Sequence, residues 1–341
     1  MATHNRVVLS HSLGSGRKLA HPHRRIDIDT AFTRLVGCKY PLQQAAMGGV
    51  SGPELAAAVA GAGALGMLCE FDLEPPTDRM TTALLDAVGG TIGMGFFGHR
   101  IQDDLTTFEI AAARLSVVEV FWTPPDPALV ARARSAGKAL VAWQVGSLDD
   151  ALAAQDAGCD FVVVQGIEAG GHVRGTQPLE ELLRMVCARV SIPVVAAGGI
   201  ATAESVVSAV RSGAAAVRVG TAFVATHESR GHPLYIAALL AAESGNETVL
   251  TTAFGVGWPD APHRVLRSAV AAAEAAKGDV VAEGGPPGAR TPISRFSSNT
   301  PSRHVAGRIE AMALYAGMGV GDVRQVRSAA ELVTELMSRL V

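Results

Sequence analysis

Residues 165–175 read QGIEAGGHVRG, four glycines and one imidazole in eleven positions. Glycine lets the backbone approach a ligand closely, and histidine is the side chain whose ordinary pKa lies near neutrality. Gly170, Gly171 and His172 therefore read as a site loop with a titratable group at its end. A loop histidine taken alone is more often a surface residue; the preceding apolar run FVVVQ and the flanking Gly-Gly favour the functional reading. Two more loops carry anion chemistry. Ala197-Gly198-Gly199-Ile200 runs into a helix beginning near Thr202, so its backbone N–H groups and the helix N-terminus form an anion site. Val219-Gly220-Thr221-Ala222 adds a second glycine and a hydroxyl. A lone Gly-Gly is a tight turn, but paired with Gly-Thr at the next run it reads as a phosphate site. No GxGxxG stands in a strand-turn-helix setting, so a dinucleotide fold is not indicated.

These loops need a scaffold that aligns them. Short apolar runs alternate with helix-period segments, and the spacing predicts strands over 42–45, 64–68, 91–96, 117–122, 139–144, 161–165, 193–197 and 215–219. Runs such as FVVV and VVAA are apolar throughout, as strands covered on both faces must be. Helix starts fall between them: Pro53 and Glu54, Ser147 with Asp150, and a segment 201–213 ending in glycine. Eight such units close into a (β/α)8 TIM barrel of about 250 residues. The chain has 341, and the excess goes to a flexible tail, 1–25, and to 246–303, where periodicity fades among GGPPGARTP and SRFSSNTPS. That second stretch reads as a lid inserted into a single domain, 26–341. After it, IEAMALYAGMG reads as the last barrel helix and SAAELVTELMSRL as a C-terminal helix outside it.

Composition sets the boundaries. A chain 48% hydrophobic and 18% charged has a large core, and a net charge of -3 without a Lys/Arg run gives nucleic acid or anionic lipid no basic field. The longest uncharged run, between Glu54 and Glu70, holds 15 residues, short of the roughly 20 that span a bilayer. The four cysteines show no CxxC pair and read as buried small hydrophobes in a reducing compartment. A cytoplasmic protein without a membrane partner is expected.

Taken in order, four motifs resemble the nitronate monooxygenase family, FMN-dependent TIM-barrel enzymes once called 2-nitropropane dioxygenases. Residues 40–49, YPLQQAAMGG, are similar to the family's YPIIQAPMAG; 165–172 to QGxEAGGH; 196–200 to AAGGI; and 218–229, with His232 and Tyr235, to QMGTxFxxTxES followed by HxxY. A weaker fifth is YAGMGVG at 315–321 against YAGQSVG. The resemblance implies FMN held by Ala45, Met47, Gln165, Gly170, Gly171, Gly198 and Gly199, with Arg218, Val219, Gly220 and Thr221 around its phosphate, and His172 as the base. The departures are Ala46 for a family Pro, Gly95 for an Asn, Arg218 for a Gln, Val173 before the Arg, and Met318 for a Gln.

Three readings follow. The first is FMN-dependent oxidation of a nitronate or nitroalkane by oxygen. The second is an FMN-dependent enoyl-thioester reductase with a nicotinamide donor; such enzymes share the EAGGH loop but carry Glu where Gln165 stands. The third is a non-catalytic FMN-binding barrel. His99, Trp122 and Tyr315 are candidate substrate contacts, each balanced by a packing or surface role, as are Trp143 and Trp258. The pair His227-Glu228 reads either as a polar clasp on the phosphate side or as a solvated loop. A small molecule and oxygen are the partners, and a homodimer is left open.

Overall fold

The computed structural model describes residues 27–70, 90–101, 105–285 and 288–340; the expected tail, 1–25, lies outside them. In chain order the strands are β1 (Leu42–Gln44), β2 (Gly66–Cys69), β3 (Ile92–Phe97), β4 (Val117–Phe121), β5 (Leu140–Val145), β6 (Phe161–Gln165), β7 (Gly171–His172), β8 (Val194–Ala197), β9 (Ala216–Val219), β10 (Thr248–Thr251), β11 (His263–Leu266), β12 (Val280–Gly284), β13 (Thr291–Ser294) and β14 (Ala306–Gly307). Eight of them run parallel in the order β1-β9-β8-β6-β5-β4-β3-β2. Leu65 closes the ring, donating to Leu42 O and accepting from Gln44 N–H, each at 2.9 Å. This is the expected (β/α)8 TIM barrel, with strand limits shifted by a residue or two.

Alternation along each strand sorts side chains between two layers. On β4, Val118 and Val120 join the layer between strands and helices, while Val117 packs with Leu65, Met67, Phe161 and Val163 inside the barrel. Phe32 and Val36, from the first helix (Ala31–Val36), belong to that inner cluster, with Phe32 edge-on to Phe161 at 5.4 Å. The starts of the strands are thus plugged, and the opposite end is left for a site.

The helix starts occur as the sequence indicates. Pro53 opens Pro53–Gly61, Ser147 Oγ accepts from Asp150 N–H, and Thr202 caps Ala203–Arg211. No described helix is long and apolar enough to cross a membrane.

Two expectations for the C-terminal third fail. Residues 246–303 are not devoid of secondary structure: they contribute β10 and β11 to an antiparallel sheet β10-β11-β7, helix Arg267–Ala275, and β12 and β13 to a sheet β13-β12-β14. β10-β11 and β12-β13 are neighbouring antiparallel pairs of four or five residues each, too short for a period to show, and only the pairing of β11 with β7 joins segments distant in sequence. The segment IEAMALYAGMG is not a barrel helix. It forms 3-10 turns at Ile309–Ala311 and Met318–Asp322 with an extended stretch between, bonded to β11 through Leu266 N–H to Leu314 O and Ala316 N–H to Arg264 O. The glycines explain this. A Cβ on Gly319 would come 2.5 Å from Gly199 O, and one on Gly317 3.0 Å from Gly170 N, so this stretch is backbone laid against the site loops. The last helix, Ala329–Met337, forms as expected. Glu228 caps it, accepting from Ala329 N–H at 3.0 Å, which places the His227-Glu228 pair at that helix rather than at a phosphate clasp.

Candidate active site

At the C-terminal ends of the barrel strands lies a cavity of about 560 Å³. Its floor is polar. Arg218, facing inward from β9, donates from Nη1 to Glu119 Oε1 on β4 at 2.5 Å and to Gln144 Oε1 on β5 at 2.6 Å; Gln43 Nε2 donates to Glu119 Oε2 at 2.8 Å. Arg218 and Glu119 are 7% and 2% exposed, so this is an ion pair inside the barrel. Nη1 is thus engaged inside the barrel, while the Arg218 side chain still lines the cavity. Glu119 lies 99 residues from Arg218, and nothing local in VVEVF announces the pairing.

The two glycine loops stand at the cavity wall. Gly198 and Gly199 adopt φ of 123° and 68°, which L side chains rarely accept. Outside the strand ladders and helices, no backbone hydrogen bond among the described residues engages the N–H groups of Gly199, Gly220 and Thr221. Thr221 Oγ1 accepts from Gly317 N–H at 3.0 Å, which ties this loop to the extended stretch. Ala45 and Met47 line the same cavity. Ser51 Oγ holds their loop, accepting from Met47 N–H and donating to Ala45 O. Val219 packs its side chain in the outer layer and takes part only through its carbonyl, which accepts from Ala45 N–H. Gly95 is fixed sterically: a Cβ there would stand 2.6 Å from that of Ala46.

His172 is held by its backbone. Gln165 Nε2 donates to His172 O at 2.9 Å, and its Oε1 accepts from Arg174 N–H at 3.4 Å, so both ends of this amide serve the loop. Gly171 and His172 form β7 and pair with Arg264 and His263 of β11. The imidazole lies in an aromatic box: Trp258 stacked at 3.9 Å and 26°, His263 at 5.4 Å, Trp122 and Tyr315 at 5.7 Å, Phe97 at 6.4 Å. Its Nε2 is buried without a hydrogen-bond partner among the described residues. Burial, and secondarily the charges that His263 and His99 would carry, push its pKa down to about 3. The titration near neutrality expected from sequence is thus displaced by desolvation, and His172 stays neutral across ordinary pH.

The remaining candidates separate. Tyr315 lines the cavity and donates its hydroxyl to Ser298 O at 2.8 Å. Trp122, in a left-handed conformation with φ 66°, packs on His172 and on Trp258, and His99 packs on Trp258 at 4.7 Å; both belong to the box without forming the cavity wall. Trp143 is core, with Nε1 on Thr123 O. Sequence reasoning missed His263, which is fully buried and fixed between Ala261 O at Nδ1 and Phe254 N–H at Nε2. It also gave Trp258 no special weight, because a turn tryptophan 86 residues from His172 carries no local signal.

A stability prediction follows from His172. Below its unfolded pKa of about 6.5 the unfolded chain binds a proton that the native imidazole refuses until about pH 3. Native stability must fall as pH drops through that window, by up to about 1.4 kcal/mol per pH unit from this group. Urea unfolding from pH 7 to pH 4 is expected to show a shallower loss for His172→Asn than for wild type; parallel curves would contradict the burial.

The barrel, the cavity at its strand ends, the glycine loops and the imidazole define a TIM-barrel enzyme. The family model for nitronate monooxygenase matches residues 29–86 and 98–339, and the chain belongs to that family of flavin-dependent oxidoreductases. A nitronate monooxygenase of Pseudomonas aeruginosa is 30% identical over 361 aligned positions, covering 91% of this chain and 98% of that one. A (3aS,4S,5R,7aS)-5-hydroxy-7a-methyl-1-oxo-octahydro-1H-indene-4-carboxyl-CoA dehydrogenase of Rhodococcus jostii is 34% identical over 248, covering 70% of this chain and 66% of that one, just under two thirds of its length. Among solved structures, a nitroalkane oxidase of Streptomyces ansochromogenes superposes with a TM-score of 0.68 at 28% identity, covering 91% and 98% of the two chains.

Proposed function

We propose that this chain oxidises a small activated carbon acid, a nitroalkane or its nitronate, with FMN as its flavin, oxygen as electron acceptor and His172 as general base. The observation that carries this reading is a neutral imidazole, its Nε2 buried and without a partner among the described residues, on the wall of a cavity that also carries the glycine loops at Gly198-Gly199 and Gly220-Thr221. The residues suit FMN: Gly198, Gly199, Gly220 and Thr221 would take its phosphate, as N–H groups before a helix do, and Ala45 and Met47 would border its ring. When bound, FMN supplies the two-electron acceptor and the route to oxygen. His172 would take the proton from carbon, becoming imidazolium next to the anion formed in the same step. That pairing offsets the poor basicity burial imposes.

One observation favours a second reading, oxidoreduction of a thioester. The cavity wall continues to Thr291, Ile293 and Val305 of the β12-β13-β14 region, a length a nitroalkane does not use, and the Rhodococcus relative is named for a CoA-linked acid. Mixing the holoprotein anaerobically with nitroalkane, nitronate, or NADH with and without an enoyl thioester separates them. Bleaching of the flavin by the nitro compounds is the expected outcome; bleaching by NADH alone would promote the reductase.

The cofactor reading makes two checks. Flavin released by heat is expected to chromatograph as FMN, and FAD as the main flavin would overturn the single-phosphate site. Gly199→Val, an obvious phosphate-site variant, is confounded by the φ of 68° and by Glu168 Cβ at 3.2 Å, both of which strain the fold itself. Gly220→Ala is cleaner. Its Cβ would meet only Ala45 Cβ at 3.5 Å and Met47 Sδ at 3.6 Å, ordinary contacts within the cavity lining. It is expected to shift stability by less than about 1 kcal/mol while weakening FMN retention in dialysis; stoichiometric FMN would show the phosphate to be held elsewhere.

A further inference from the structure

Trp258 is delivered to the site by a loop with little hold on the rest of the molecule. Val256 anchors the loop, donating to Phe296 O at 3.0 Å and accepting from Ser298 N–H at 3.1 Å, but Val256, Gly257, Pro259 and Asp260 are exposed. Gly257 and Asp260 adopt φ of 91° and 56°. From this exposed turn the indole reaches inward, to Phe97 at 4.8 Å, His99 at 4.7 Å and Trp122 at 5.1 Å, and lies flat on the His172 ring. The other rings around His172 stand edge-on or tilted at 5.4–6.4 Å.

We propose that Trp258 is a positioning residue for His172: a removable cover that keeps the base dry, and therefore neutral, until substrate replaces the indole. The proposal rests on the reading of His172 as the base. Among the described residues no titratable group offers the ring an opposite charge, and charge on His263 or His99 would only disfavour its protonation. His99 packs on Trp258; His263 has both nitrogens bonded; Tyr315 donates to Ser298 O. Arg174, on the same loop, is paired with Asp150 at 3.3 Å, and Arg264, beside His263, bonds Ile167 O and Thr248 Oγ1. Hydration is thus the main control on the imidazole's affinity for a proton, and the stacked indole excludes water from one whole face. Uncovering the ring lets water stabilise its charged form, so the base would be lost in mild acid.

The test uses the FMN-loaded protein and diethyl pyrocarbonate, which acylates an accessible neutral imidazole nitrogen. Modification of His172 is followed by peptide mass spectrometry, with the exposed His304 as internal reference. Trp258→Ala is expected to be modified at His172 about tenfold faster than wild type, Trp258→Phe near the wild-type rate, and His304 equally in all three. Trp258→Leu serves should the alanine variant fail to fold. The second readout is pH: reduction of the flavin by nitroalkane is expected to stay level in wild type from about pH 7.5 to 5.5 and to drop several-fold more in Trp258→Ala, as a histidine regains its ordinary range. Equal labelling rates and parallel pH profiles in folded variants would overturn the cover. Normal nitroalkane turnover by His172→Ala would instead remove the base, leaving the labelling result to judge the cover alone.

Discussion

Arg218→Ala is expected to destabilise the fold by about 3–5 kcal/mol, because it strands the Glu119 carboxylate inside the barrel without its partner. Desolvating a carboxylate is costly, and only the guanidinium and the Gln43 amide hold this one. The sign reverses when both charges go. Arg218→Met combined with Glu119→Gln removes the buried ions while keeping volume, and is expected to recover most of the loss, since such pairs are often no better than apolar or neutral replacements. Urea midpoints of Arg218→Met, Glu119→Gln and the double variant form the cycle, with Arg218→Ala measured beside them. A single variant within about 1 kcal/mol of wild type would mean that solvent reaches the pair.

Much of the barrel was legible because its signal is local. Strands covered on both faces are apolar at successive positions, as in FVVV and VVAA, and glycine, proline and serine mark where helices stop and start. The site's glycines and His172 were legible for the same reason: they follow the strand that carries them. What stayed hidden is what depends on pairing across the chain. β11 pairs with β7 at His263 and His172, 91 residues apart, so the insertion's hold on the His172 loop has no sequence pattern. The segment 309–319 reads as helix by hydrophobic period, yet Gly317 and Gly319 are required by contact with the loops at Gly170 and Gly199, which only the fold brings near. The same holds for Arg218: charge in a buried strand is visible, but whether it meets a phosphate or a carboxylate is decided on the opposite side of the barrel.

The second large effect concerns catalysis. His172→Ala is expected to slow turnover of a neutral nitroalkane by about 10²–10⁴-fold, the usual share of a positioned general base. A pre-formed nitronate has already lost the proton that His172 would remove, so its oxidation is expected to fall far less. The backbone of the loop is held by Gln165 and by β11 rather than by the imidazole, so the variant is expected to keep its flavin and its fold. This separates a base from a residue that merely shapes the cavity, whose loss would impair both substrates alike.

The most direct measurement is therefore anaerobic flavin bleaching by stopped flow, wild type against His172→Ala, each mixed in turn with a nitroalkane and with its pre-formed nitronate. A loss of about 10²-fold or more for the nitroalkane, with the nitronate reaction largely retained, is the predicted result. Equal losses for both substrates, or no loss for either, would contradict His172 as the base.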